Sequence, residues 1–211
     1  MIRLALVVGA ALCLLGCAAT SPQIQHLQLS AGAAPAPQGD NPVIVLDHID
    51  LPDYLLRDEL LHRESDFALH YDSARRWAEP LDLGIQRVIG RRLQSSLDTQ
   101  RVILFPDASS TPADWQLRVT ITHFEATGSK VKIAGQGRWE QKNQVTLVVE
   151  SVVFEDSQTL NSDSGEDIAK TMSQLLWKFA DELAAAIPKR PALSDSHRSD
   201  EQSIEIETTH P

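Results

Sequence analysis

From Trp115 onward the chain alternates apolar and polar residues with a period of two. A stretch written this way settles as strands of a sheet with one covered face. Trp115, Leu117, Val119 and Ile121 take one phase, and Gln116, Arg118, Thr120 and Thr122 take the other. Ala126 to Ser129 reads as a turn. Val131, Ile133, Gly135, Gly137 and Trp139 then resume the apolar phase against Lys130, Lys132, Gln136, Arg138 and Glu140. A third run, Val145 to Phe154, follows Gln141 to Asn143. Its apolar phase switches between Val149 and Val152, which predicts a bulge or a strand covered on both faces. Three such runs with short connections predict an antiparallel meander.

The covered face needs a cover, and two helical stripes supply it. Leu81, Ile85, Val88, Ile89, Leu93 and Leu97 recur at steps of three and four, with Pro80 and Asp82 suited to the first turn and Arg87, Arg91 and Arg92 mainly on the other side. A second stripe runs through Ile168, Met172, Leu175, Leu176, Phe179, Leu183 and Ile187, behind a Ser164–Asp167 capping pair, and stops at Pro188. Upstream, Ile24, Leu27 and Leu29 fit a first strand, and Ser30 to Pro42 reads as a loop or flexible linker. Val43 to Ile49 is a strand, Leu51 to Leu55 a turn, and Asp58 to Arg63 and Phe67 to Tyr71 two short strands. Arg101 to Phe105 is a further strand, before a Pro- and Ser-rich loop from Pro106 to Pro112. The predicted class is α+β: a largely antiparallel sheet with two main helices packed on one face.

The N-terminus reads as a secretory leader, with Arg3 as its charged part and Leu4 to Leu12 as its apolar part, too short to span a bilayer. Leu14-Leu15-Gly16-Cys17 resembles a bacterial lipobox. The resemblance implies a diacylglycerol on the Cys17 sulfur, cleavage before Cys17, and usually acylation of the new amine. Several acyl chains make such an anchor effectively permanent. The same rule takes Ala18, in place of an Asp, as favouring the inner leaflet of the outer membrane. The chain thus divides into a leader (1–16), a lipidated tether (17–23), one domain (24–187) and an acidic tail (188–211) expected to be disordered.

Removing the leader leaves 195 residues, enough for one domain with a real core, and takes the formal charge from −10 to −11 through the loss of Arg3. An acidic chain argues against nucleic acid and against a basic patch for anionic headgroups. Cys13 leaves with the leader and Cys17 is lipidated, so neither a disulfide nor a cysteine metal site is expected.

No catalytic pattern emerges. The seven histidines are scattered, and there is no H-E-x-x-H, P-loop, G-x-G-x-x-G or G-x-S-x-G. Asp163, Glu166 and Asp167 sit where helix N-termini attract acids. No metal, cofactor or enzymatic activity is expected. A tethered hydrolase would need the fold to gather residues such as His62, Asp66 and Asp72; a structural envelope lipoprotein without a transport role is the other alternative. Trp77, beside Arg75, Arg76 and Glu79, is open between core, rim and interface.

Leu51-Pro52-Asp53-Tyr54-Leu55 with Arg57 and Arg63, followed by Arg76-Trp77-Ala78-Glu79-Pro80-Leu81, resembles the ABC-type transport auxiliary lipoproteins of the paraquat-inducible protein C type. The resemblance spans Ile24 to Ile187, and Asp58 stands where the family pattern has a proline. It implies an outer-membrane partner of MCE-domain proteins, which form periplasmic channels for lipid traffic, and a homo-oligomeric ring matched to such a channel. Leu51, Pro52, Tyr54, Arg57 and Trp77 gather around turns, as binding groups do, and include the residue types that dominate interfaces. They are the candidate interface residues.

Overall fold

A computed structural model of the chain describes residues 23–106, 112–142 and 147–188. Cys17, the leader, most of the tether, the centre of the Pro106–Pro112 loop and the tail beyond Pro188 lie outside the described residues. The elements in chain order are β1 (Gln25–Leu27), β2 (Ile44–Asp50), a 3-10 turn (Asp53–Leu55), β3 (Glu59–Ser65), β4 (Ala68–Trp77), α1 (Leu81–Ser96), β5 (Val102–Leu104), β6 (Trp115–Thr127), β7 (Lys130–Lys142), β8 (Leu147–Thr159) and α2 (Gly165–Ala185).

β6 is the spine. β7 lies antiparallel along one of its edges, from Gln116 beside Glu140 to Thr127 beside Lys130, and β8 continues the meander. The other edge is shared. β2 pairs parallel with its first half (Ile44 beside Trp115) and β3 pairs parallel with its end (Arg63 beside Thr127). β5 extends β2, while β4 and then β1 extend β3. The sheet is mixed: the three antiparallel ladders are the long ones, and the four parallel pairings are short. The class is α+β, as the periodicities predict.

Both helices lie against the face that β6 presents through Trp115, Leu117, Val119 and Ile121. Ile85, Val88, Ile89 and Leu93 of α1 and Leu175, Leu176, Phe179 and Leu183 of α2 are buried there with Ile44, Leu46, Ile133 and Trp139. The indole Nε1–H of Trp139 donates to the Leu183 carbonyl at 2.9 Å, which satisfies a donor that burial would otherwise strand. Leu183 also sits over Gly137, where any side chain would collide with it.

Three expectations are corrected. The phase switch does not lie in β8: its register with β7 is unbroken from Lys142 beside Leu147 to Lys130 beside Thr159. Val152 and Phe154 are half-buried and Val153 is exposed, so β8 is an edge strand covered on one face at the rim of α2. Register shifts lie instead in β6, between Ile121 and His123, in β2, between Leu46 and Ile49, and at two points of the β3–β4 ladder. After the first, the buried phase passes to Phe124 and Ala126.

The segment after Ser30 is pinned rather than free. Ser30 donates its N–H to Ser173 Oγ (3.1 Å) and accepts from Trp177 Nε1, while Gln38 N–H donates to Asp98 Oδ1 (2.8 Å). β4 runs on to Trp77, well past Tyr71, because β1 and β3 flank it on both sides.

Candidate interface site around the Leu51–Arg57 turn

Where β2 leaves β6 and before β3 joins it, β6 has a stretch of edge with no strand beside it. The Leu51–Arg57 segment fills that gap. Pro52 holds an extended backbone before the 3-10 turn, and the turn closes through Leu55 N–H onto the Pro52 carbonyl (2.8 Å). Leu55 drives into the core, 2% exposed. The Tyr54 hydroxyl then donates to the Thr122 carbonyl at 2.6 Å, and the Phe124 N–H donates to Glu125 Oε2 at 2.7 Å. Side chains here do what a neighbouring strand would otherwise do for the β6 backbone.

Glu125 is buried, and its other carboxylate oxygen accepts from Arg63 Nε at 2.7 Å. That bond raises the Arg63 pKa above its already high ordinary value. Burial first, and then the nearby Glu125 charge, hold the Tyr54 phenol above its usual pKa, so it stays a donor. The Arg63 guanidinium lies 5.6 Å from the Tyr54 ring centre. Tyr71 of β4 donates its hydroxyl to the Tyr54 carbonyl at 3.2 Å, and the Arg57 guanidinium stands 4.6 Å over the Tyr71 ring. The turn is thereby clamped between β4 and β6.

The five candidate residues do not share one environment. Leu51, Pro52 and Tyr54 are half-buried at the seam. Arg57 is outermost, its side chain 57% exposed and 3.5 Å from Glu59. Trp77 is 7% exposed and belongs to the core cluster, its backbone N–H donating to the Asp58 carbonyl at 2.7 Å, a setting that suits packing. The outward surface is therefore Arg57 with Leu56, which is 53% exposed. Pattern reading missed Glu125, Tyr71 and Leu56. The one signal for Glu125 is an acid set between Phe124 and Ala126 in a strand.

Elsewhere, His62 pairs in register with His70, their rings 6.4 Å apart, and burial lowers the His62 pKa. Asp72, diagonally across the same hairpin, is near enough for its charge to act on His62, whereas Asp66 stands in the turn, so the three are not brought together. Among the described residues no group of three or more His, Cys, Asp or Glu is placed to hold a metal ion. No helix among them is long and apolar enough to cross a membrane.

Over 190 residues the chain is 26% identical to the intermembrane transport lipoprotein PqiC of Escherichia coli (strain K12), a match covering 88% of this chain and 98% of that one. The protein of the same name from Shigella flexneri matches equally. Two solved structures share the fold. One, an uncharacterized protein, has a TM-score of 0.63 at 20% identity, over 79% of this chain and 99% of its own. The other, XCC0632 from Xanthomonas campestris, has 0.62 at 16%, over 77% and 92%. Residues 26–184 match the model of the ABC-type transport auxiliary lipoprotein component, and the chain belongs to that family.

Proposed function

We propose that this protein is the lipid-anchored outer-membrane component of an intermembrane lipid transport system. In this reading Cys17 holds it in the inner leaflet, facing the periplasm, and its domain docks on an MCE-domain channel protein. The observation that carries the reading is the extent of the match to PqiC, which takes in 98% of a protein named for intermembrane transport. A lipobox ending at Cys17 supports the anchoring half. The docking half is supported by the exposed Arg57–Leu56 surface beside the clamped turn. A ring of copies would match the symmetry of a tubular partner through heterologous contacts.

The test is isolation of the tagged protein from mildly solubilised membranes, followed by mass spectrometry. The expected result is an MCE-domain protein in stoichiometric yield, with palmitate on Cys17. Arg57→Ala should weaken capture by about 30-fold, the scale of a 2 kcal/mol hot spot, while costing the fold no more than the ~1 kcal/mol of an exposed cation–π contact. Membrane-bound protein recovered free of any MCE-domain protein would overturn the reading.

A further inference from the structure

The β3–β4 hairpin ends in a two-residue turn, Asp66–Phe67, and Phe67 is 100% exposed. Turn positions suit Gly, Asn, Asp or Ser, which bend the backbone easily or hydrogen-bond to it. A phenyl ring here covers no core residue and gives the fold nothing. Yet the turn is well defined: Ser65 pairs with Ala68, and the Phe67 N–H donates to Ser65 Oγ at 3.3 Å. A residue that breaks a local rule without a compensating contact points to a role outside the fold.

Strand direction says what the ring faces. β1 runs parallel to β4, Gln25 beside Arg75 and Leu27 beside Trp77. Because β4 runs away from the hairpin turn, β1 does too, and the chain before Gln25 arrives from the side on which the turn lies. Eight residues of β4 separate Arg75 from Phe67, about 26 Å of strand. Eight residues also separate Gln25 from Cys17, a reach of at most about 29 Å when fully extended. The tether is thus just long enough for Cys17 and the phenyl tip to stand at one level. α2 runs away from that level: its start packs against Gln25 and Arg75, while Leu183 near its end packs over Gly137, seven residues along β7 from the Lys130 turn.

We propose that Phe67 is a second, reversible membrane contact. The hairpin tip rests in the bilayer interface and holds the domain upright on its anchor, with the end of α2 directed away from the lipid. The proposal rests on the reading of Cys17 as the anchored residue. An aromatic ring beside polar backbone is at home at the headgroup level. Glu64 and Asp66 flank the ring, against Lys130 on the adjacent turn, so the surface it fits is zwitterionic; an anionic one would repel these acids.

The mature lipidated protein has no free thiol, since the Cys17 sulfur is in a thioether. Phe67→Cys therefore provides a unique site for an environment-sensitive NBD label, and Val153→Cys, on the exposed outer face of β8, provides the control. Both proteins are reconstituted into phosphatidylcholine–phosphatidylethanolamine vesicles and checked by flotation. The expected result is a severalfold emission rise at position 67, quenched by nitroxide-bearing lipid, with position 153 unchanged. Exchange of part of the phosphatidylethanolamine for phosphatidylglycerol should lower the signal at position 67. Floating protein whose label at position 67 stays water-like overturns the inference and leaves the anchor standing; protein that fails to float overturns the anchor itself. Emission that rises with protein concentration but escapes nitroxide quenching means that a second copy covers the ring, and overturns the membrane contact. A signal that grows with phosphatidylglycerol overturns the zwitterionic assignment.

Discussion

At the scale of single residues, the chain places one buried carboxylate at the seam of its sheet and balances it with one guanidinium. Glu125 is 1% exposed; Arg63 is its close cationic partner, and His123 Nδ1 lies 3.3 Å from the same carboxylate oxygen. Breaking such a pair from one side leaves a charge in a medium that cannot solvate it. Arg63→Met should therefore cost about 3–5 kcal/mol of stability. The double substitution Arg63→Met/Glu125→Gln should recover much of that loss, because no net charge is then left buried. Urea midpoints of the three proteins check this; a single variant as stable as the parent would show that water or the neighbouring His123 takes the place of Arg63. None of this was legible beforehand. Tyr54 and Arg57 stood out because they fit no strand or helix period. Glu125 did not, since an acid in a strand ordinarily marks the solvent phase, and its burial depends on an arginine 62 residues away.

At the scale of elements, what was legible was what is local. The meander, both helices and the Ser164 cap follow from patterns contained within each segment, and Ser164 does accept the Asp167 N–H at 3.2 Å. The parallel pairings escaped because they join segments far apart: β2 reaches β6 across some 70 residues, with α1 in the crossover. The bulge in β6 was written in the sequence as Ile121 followed by Phe124 and Ala126, yet a phase change near a turn reads as the end of a strand. Glycine in a strand usually signals weakness. Gly137 is different, because α2 uses the missing side chain to bring Leu183 onto the sheet. Gly137→Ala should therefore destabilise, by about 1–3 kcal/mol, despite the better strand propensity of alanine. Thermal melts decide this; a stabilised variant would mean that α2 shifts freely over β7.

At the scale of the whole molecule, the sheet has two ends with different company. The Asp66–Phe67 turn and the turn before Lys130 lie at one end. The start of α2 packs further in, against Gln25 and Arg75, and its close lies over Gly137, further still from the Phe67 tip. The strands at two margins of the sheet, β1 and β5, are three residues each, which leaves little unpaired backbone to recruit another chain. β8 is the long free edge among the described residues, and it carries Glu150, Glu155 and Asp156. Function was not written in any periodicity. No catalytic motif stands in the chain, and the family became legible only through a turn segment and a lipobox that resemble those of known lipoproteins.

The sharing of one β6 edge by β2 and β3 has a kinetic consequence. Everything from Trp115 to Ala185 can pair with its own neighbours in sequence, whereas before Trp115 only the β3–β4 hairpin is local, and β2 and that hairpin wait for β6 to join them into one sheet. Contacts of long sequence separation form slowly, because loop closure must come before any gain. The meander with α2 should therefore be the folding nucleus. Ile133→Val should slow refolding in proportion to its loss of stability, and Ile44→Val should mainly speed unfolding. Stopped-flow chevrons test this order, and a nucleus containing β2 would reverse it. A chain exported N-terminus first would then cross the membrane with the β3–β4 hairpin free to form but β2 still without its place beside β6.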